Sequence, residues 1–279
     1  MVVFPADVLS DYERFSLYNS PYPAHDLGCA IDLYPPNDDA RSPVAGTVLE
    51  TRTVRCPGKS YAVETDHLIL IDCGDHVARI LHVEPDVTAG DRIALGDHLG
   101  TLVRSGFFGQ WVDNHIHLGF RHPDQNLRRA SGSLRLDIDV PVTGVAWGGT
   151  GTVVETGPTH IQLDSPRRDG ESDGFTALAA DDGTPLDGGL THYSGGGVLT
   201  PTTGEISLLG TSIGTAEGRD VTWDSVAVFA DDARATGLSL FASQTPFGAK
   251  IVFHDGHDFS IGDEVSVAIE PTDDPIRLG

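Results

Sequence analysis

Residues 114–120 place two histidines, His115 and His117, two positions apart in an otherwise mostly apolar segment. In a β-strand successive side chains point to opposite faces, so these imidazoles would project together while Ile116 and Leu118 face the other way. Two imidazoles on one face suit metal binding or proton transfer. The spacing also occurs in surface histidines of an edge strand, and that alternative stays open from the pair alone.

The stretch before this pair contains another histidine and regularly spaced glycines. His82 precedes the pattern Val-x-x-Gly-Asp-x-Ile-x-x-Gly-x-x-Leu-Gly, which runs from Val87 to Gly100. This order of motifs resembles the lysostaphin-like zinc metallopeptidases over roughly residues 24–120. Their fold is a small antiparallel β-structure, the duplicated hybrid motif, related to biotinyl and lipoyl carriers, which share the glycine pattern. The pattern therefore indicates the fold more than the activity.

The resemblance implies roles for four residues. In the family a His and an Asp four positions apart, with the second His of the His-x-His pair, bind zinc and leave one position open for water. By this resemblance Asp32 and His117 are zinc ligands. His115 and His82 would then be catalytic groups, because they would assist attack of the zinc-activated water on an amide.

The first ligand of the family does not carry over directly, because Gly28 stands four residues before Asp32. The nearest imidazole is His25, whose odd offset from Asp32 would place the two on opposite faces of an unbroken strand. A turn or bulge at residues 26–28 would allow His25 to reach the metal. We expect His25 as the third ligand, followed by Asp26 and then Cys29.

Length and composition predict an all-β protein with two domains. The chain has 279 residues and 33 glycines, with turn-like clusters throughout, which favours many short strands. We predict a lysostaphin-like domain over residues 1–125 and a β-rich domain without an evident site over 136–279, joined by a polar linker or crossing segment at 121–135. A short helix is predicted over Val8 to Tyr18. The predicted strands of the first domain are Cys29 to Leu33, Ser42 to Thr51, Asp66 to Cys73 and His76 to Val83, the last two joined by a tight hairpin at Gly74-Asp75.

The second half repeats two patterns of the first. Residues 204–215 align with 90–101, and residues 141–145 align with 43–47. His192 also precedes Gly204 much as His82 precedes Gly90. A divergent repeat and convergence of turn-rich β-sequence explain these echoes equally well.

The charge of the chain limits its partners. It has 41 acidic and 18 basic residues and a formal net charge of −23. A surface this acidic repels nucleic acid and anionic membranes, so neither is an expected partner. Acidic enrichment with only two lysines, Lys59 and Lys250, is typical of proteins kept soluble in concentrated salt, and we predict a halophile's cytosol. Neither lysine lies in the hairpin turn that a biotinyl or lipoyl carrier requires, so that function is not expected.

Cysteine usage and the N-terminal sequence predict a soluble, cytoplasmic protein. Cys29, Cys56 and Cys73 form no Cys-x-x-Cys pair, and one stays unpaired in any disulfide scheme, so we expect free thiols. Residues 1–7 lack the features of a signal peptide, and no stretch approaches the ~20 apolar residues of a membrane helix. Many lysostaphin-like peptidases act outside the cell, so this location does not follow from the resemblance.

The sequence thus predicts a zinc-dependent hydrolase that cleaves a peptide or small amide substrate. The alternative is a binding or structural module that retains the fold without activity. His98 and His122 are expected at the surface, and the segment 254–258 is expected to be an acidic loop rather than a second metal site.

Overall fold

The computed structural model describes residues 1–168, 174–245 and 247–278 of the chain. These residues are nearly all β, as predicted, and they form two compact units. Unit 1 contains residues 1–15 and 23–139, and unit 2 contains residues 16–22 and 140–279. Within the described residues, no helix is long and apolar enough to span a membrane.

Unit 1 consists of short strands and two single helical turns. The elements are β1 (Val2–Pro5), α1 (Ala6–Leu9), β2 (Arg14–Ser16, its last residue in unit 2), a 3-10 turn (Asp26–Gly28), β3 (Ala30–Tyr34), β4 (Asp39–Arg41), β5 (Gly46–Arg55), β6 (Thr65–Asp72), β7 (Val77–Leu81), β8 (Val83–Pro85), β9 (Arg92–Ile93), β10 (His98–Leu102), β11 (Ile116–Arg121) and β12 (Leu136–Asp139).

The main sheet of unit 1 has the strand order β3-β11-β7-β6-β5-β9, and all its pairings are antiparallel. Every residue of β3 and β11 is buried, so these two strands lie in the interior of the unit. β10 pairs antiparallel with β4 and with β8, while β1 pairs parallel with β12. Strand β11, which begins within the His-x-His motif and contains His117, is therefore flanked on both sides by hydrogen-bonded strands.

The predicted strands of this unit are confirmed with shifted ends, and the predicted helix is wrong in extent. The chain is helical only over Ala6–Leu9, and Arg14–Ser16 is a strand. The hairpin between β6 and β7 is confirmed, since the Cys73 amide donates to the carbonyl of His76 at 2.9 Å and Gly74 adopts a φ of +92°. Pairing of β2 with β3 in the sheet overrides the local helix propensity of this segment.

The glycine pattern marks sharp turns and one close backbone approach. Gly90 and Gly96 have φ values of +100° and +79°. Gly100 has a φ of +150°, and a Cβ there would lie 1.9 Å from the carbonyl oxygen of Glu84 on β8. Only glycine allows β10 and β8 to approach this closely.

The segment 122–135 packs back onto β11 instead of running freely. Arg121 is almost fully buried at 2% exposure, and its guanidinium donates to the carbonyls of Asn126, Arg129 and Ser131. The Leu134 amide donates to the Phe120 carbonyl at 2.8 Å. A buried arginine therefore organises the segment that is predicted from the sequence as a polar linker or crossing segment.

Unit 2 is a larger β-structure around one apolar core. Its main sheet has the order β19-β18-β17-β22-β24-β15-β14-β25-β20-β21. In addition, β16 pairs parallel with β13 and antiparallel with β23. The core is lined by Trp147, Ile161, Leu190, Ile213 and Trp223 among others. The strands are β13 (Val142–Val145), β14 (Thr150–Gly157), β15 (His160–Leu163), β16 (Phe175–Leu178), β17 (Leu186–Leu190), β18 (Gly195–Leu208), β19 (Thr211–Trp223), β20 (Val226–Ala230), β21 (Ala233–Ala235), β22 (Gly237–Leu240), β23 (Ala242–Ser243), β24 (Lys250–Val252) and β25 (Glu264–Pro271).

The segments aligned as a repeat have different structures in the two units. Residues 204–215 form the tip of the long β18–β19 hairpin, in which Ile206 pairs with Gly214. Residues 90–101 instead form β9 and most of β10, which pair with different partners. His192 is fully buried, and burial is the main reason that its pKa falls to about 3. The echoes at these positions therefore reflect similar turn-rich sequence rather than a shared local structure.

Candidate metal centre

Three buried side chains of unit 1 bring ligand atoms together. His25 Nε2 lies 3.0 Å from His117 Nδ1 and 3.2 Å from Asp32 Oδ1. His117 Nδ1 lies 3.0 Å from the same Asp32 oxygen. These are the three residues predicted as metal ligands, and within the described part of the chain they form the single group of three or more such side chains that could hold a metal ion.

The pairing of β3 with β11 positions two of the predicted ligands. Asp32 and His117 are directly opposite each other in the antiparallel register, so their side chains lie on one face. His117 is also opposite Leu81 at the end of β7, next to His82. The central strand β11 therefore places His117 between Asp32 in the middle of β3 and His82 just after the end of β7.

His25, the third predicted ligand, reaches the cluster through the turn that its odd spacing required. Residues 26–28 form a 3-10 turn in which Leu27 and Gly28 have φ values of +56° and +65°. This reversal lets His25 return to the same side as Asp32. The other candidates are placed differently, since Asp26 is exposed and Cys29 lies outside the group of converging side chains.

His115 lies beside the three ligands with a defined orientation. Its Nδ1 contacts the carbonyl of Asp113 at 2.8 Å, and a carbonyl only accepts, so Nδ1 is the protonated nitrogen. Its Nε2 lies 3.5 Å from Asp32 Oδ1. The Tyr34 and Phe108 rings lie 5.1 and 4.7 Å from the His115 ring and enclose it.

His82 is the second histidine next to the ligand cluster, and it occupies the break between β7 and β8. Its φ is +70°, a left-handed value that is uncommon for a residue other than glycine. Its ring centroid lies 4.9 Å from that of His115 and 5.8 Å from that of His117. The structure therefore brings both predicted catalytic histidines against the predicted ligands.

Asp66, the second residue of β6, holds His82 from the other side. Its Oδ2 lies 2.5 Å from His82 Nδ1, and its Oδ1 accepts from the His82 amide at 2.9 Å. The same carboxylate accepts from the Ser105 hydroxyl at 2.6 Å and from the His67 amide at 2.6 Å. Burial would raise the pKa of Asp66, but the His82 imidazole and these hydrogen bonds lower it to about 2. The carboxylate is thus ionised, buried and fully hydrogen-bonded.

The charge states of the cluster suit a cation. Burial is the main reason that the pKa values of His115 and His117 fall to about 4, so both rings are neutral near pH 7. Burial acts in the opposite direction on Asp32, but the neighbouring imidazoles of His25, His115 and His117 hold its pKa well below the usual range. Neutral imidazoles and an ionised carboxylate are the protonation states in which these groups bind metal.

The mutual distances also fit a metal better than hydrogen bonds alone. With Asp32 ionised, contacts to its oxygen require His25 Nε2 and His117 Nδ1 both to be protonated. Those two nitrogens are 3.0 Å apart, and two N–H groups cannot bond to each other at that distance. A cation among three lone pairs satisfies all three contacts. Ligands ~2.0–2.1 Å from a tetrahedral zinc lie about 3.3 Å apart, close to the observed separations.

His98, His122 and the histidines of the segment 254–258 lie outside the cluster of converging side chains. His98 is exposed and ion-paired with Asp39 and Asp86, and His122 is also exposed. In the loop 254–258, Gly256 has a φ of +92°, and His257 Nε2 contacts the backbone carbonyls of Gly157 and His160. These contacts agree with a structural loop.

Sequence reasoning missed Asp66, Ser105 and Phe108. For Asp66 a signal existed, because a hairpin closed by Cys73 and His76 aligns the start of β6 with the end of β7. That register places residue 66 opposite residue 83, next to His82. No pattern in residues 105–113 indicates that Ser105 or Phe108 would fold against the histidines.

Comparison with known protein families gives a match over almost the whole chain. The N-terminal domain of DUF8155, a domain of unknown function, matches residues 3–138, and the DUF8155 C-terminal domain matches residues 143–270. This two-domain β-protein with a candidate metal centre therefore belongs to the DUF8155 family. No curated protein matches the chain.

Among solved structures, the chain is similar to lysostaphin, whose solution structure was determined by NMR. The alignment covers 94% of this chain and 96% of lysostaphin, with 12% sequence identity and a TM-score of 0.29. A TM-score this low does not establish a shared fold.

Proposed function

We propose that this protein is a zinc-dependent hydrolase that cleaves an amide bond in a peptide or small amide. The observation that carries the proposal is the convergence of His25, Asp32 and His117 within 3.2 Å of one another. Three protein ligands with a further position free for water are the arrangement of catalytic zinc sites, whereas structural sites use four. When bound, zinc supplies a Lewis acid that polarises a carbonyl and lowers the pKa of water.

The residues beside the ligands can hold and move protons. Donation of His115 Nδ1–H to the Asp113 carbonyl leaves Nε2 as the acceptor, 3.5 Å from Asp32. His82 lies next to His115 with its own Nδ1 against Asp66. The His115 and His82 imidazoles beside the predicted ligands can take a proton from water and return it to the leaving amine.

Three proteins, the wild type, His117→Ala and His82→Ala, test the proposal. Each would be loaded with zinc, washed and incubated with a mixed peptide library, with cleavage followed by mass spectrometry. The wild type should bind zinc and cleave, because ligands and proton-transfer groups are both present. His117→Ala should lose both properties, while His82→Ala should keep zinc and lose most of its turnover.

The matched control is His122→Ala, which removes an exposed imidazole outside the site and should behave as the wild type. Zinc binding without cleavage of any peptide or small amide would favour a binding module. Equal turnover in the wild type and His82→Ala would remove His82 from the mechanism.

A further inference from the structure

The buried carboxylate of Asp66 makes four hydrogen bonds, and two of them involve one histidine. It accepts from the amide of His82 and contacts Nδ1 of the same ring. Asp66 is 0% exposed, and His82 is 6% exposed. The remaining two hydrogen bonds of the Asp66 carboxylate come from the Ser105 hydroxyl and the His67 amide. The carboxylate therefore fixes both the backbone and the ring of His82.

We propose that Asp66 is a positioning residue that sets the tautomer of His82 in the hydrolase site proposed above. An ionised carboxylate only accepts hydrogen bonds, so His82 Nδ1 must carry a proton. In the neutral form with Nδ1 protonated, the lone pair lies on Nε2, and the ring packs against His115 and Phe108. Only this tautomer can accept a proton through Nε2, which is the atom remote from Asp66. The inference depends on the proposed function for its catalytic meaning, but the tautomer itself does not.

The left-handed backbone of His82 gives a second reason to assign a positioning role. A φ of +70° for a residue with a Cβ costs about 1–2 kcal/mol, and such conformations persist when their surroundings impose them. The Asp66–amide contact at 2.9 Å imposes it here. In a regular continuation of β7, the side chain at 82 would follow the strand alternation instead of packing against His115.

Ser105 connects the same carboxylate to the loop that encloses the histidines. Its hydroxyl donates to Asp66 and accepts from the Phe107 amide at 3.2 Å. The next residue, Phe108, packs its ring 5.1 Å from that of His82. Asp66 thus orders the loop and the ring together, and Ser105 provides a matched control for the loop contact alone.

The test measures the His82 tautomer from the ¹⁵N chemical shifts of the histidine ring nitrogens, with His82→Gln used to assign the signals. The wild type should show a protonated Nδ1 and a lone pair on Nε2. In Asp66→Asn the amide nitrogen replaces one oxygen and donates to Nδ1, so His82 should change to the Nε2–H tautomer. Ser105→Ala should keep the wild-type tautomer, because the carboxylate is retained.

Zinc content and turnover complete the test. Asp66→Asn should bind the same amount of zinc as the wild type, while kcat/KM falls by about 10–100-fold, the usual effect of losing a partner that orients a site residue. Ser105→Ala should lose less than Asp66→Asn. An Nε2–H tautomer in the wild type, or the same tautomer in the wild type and Asp66→Asn, would overturn the inference.

The two proposals fail in different ways. A wild type that cleaves nothing would end the hydrolase proposal, while the tautomer comparison would still decide the role of Asp66. If Asp66→Asn does not fold, the tautomer of the wild type alone decides it, since a lone pair on Nδ1 is incompatible with a contact to the carboxylate.

Discussion

At the scale of single residues, the site depends on backbone conformations that side chains rarely adopt. Leu27 and His82 have φ values of +56° and +70°. Leu27 lies in the turn that follows His25, and His82 itself packs against His115 and His117. Each such conformation costs about 1–3 kcal/mol and is found mainly where function requires it. Both conformations serve the same end, because they turn His25 and His82 toward the ligands on β3 and β11.

Replacement of single ligands at the turn should separate the three candidates for the first ligand. His25→Ala should lower zinc affinity by more than the 10–100-fold typical of losing an outer partner, because a direct ligand is removed. Asp26→Ala and Cys29→Ala should change affinity little, since neither side chain is in the converging group. Competition with a chromogenic chelator measures all three. If His25→Ala kept the zinc affinity of the wild type while Asp26→Ala or Cys29→Ala lost it, the third ligand would be Asp26 or Cys29 instead of His25.

At the scale of elements, the turn at residues 26–28 is what allows His25 to contact Asp32 and His117. Gly28 has a φ of +65°, so Gly28→Ala should cost about 1 kcal/mol of unfolding free energy and should weaken zinc binding by displacing His25. Gly58→Ala is the control, because its Cβ would meet nothing within 4 Å. Urea unfolding and the chelator assay measure both effects. Unchanged stability and affinity in Gly28→Ala would show that the turn is not strained by a Cβ.

Much of unit 1 could be predicted from the sequence because its strands follow alternation and its hairpin follows a Gly-Asp turn. The face shared by Asp32 and His117 follows from an antiparallel pairing that the strand pattern allows. His25 could be proposed but not placed, since two consecutive left-handed residues are needed and one of them, Leu27, is not a glycine. The Asp66 contact depends on the exact register of β6 with β7, and the buried Arg121 depends on a segment without periodicity.

At the scale of the whole molecule, the dominant physical property is the net charge of −23. Self-repulsion of a surface this acidic destabilises the folded state, and salt screens it over a Debye length that falls from about 10 Å at 0.1 M to about 3 Å at 1 M. The melting temperature at pH 7 should therefore rise steeply between about 0.1 and 2 M KCl. The same series at about pH 4 is the control, because about half of ordinary carboxylates are then protonated and leave less repulsion to screen. A melting temperature that falls with KCl at pH 7 would contradict this account.

The central claim is that β3, β11 and the turn before β3 build one metal site, and metal content tests it most directly. Purified protein treated with chelator, reloaded with zinc and washed should contain about one zinc per chain by elemental analysis, as a single three-ligand site requires. His117→Ala prepared in parallel should contain almost none. A wild type that takes up no zinc, or equal zinc in the wild type and His117→Ala, would contradict the claim.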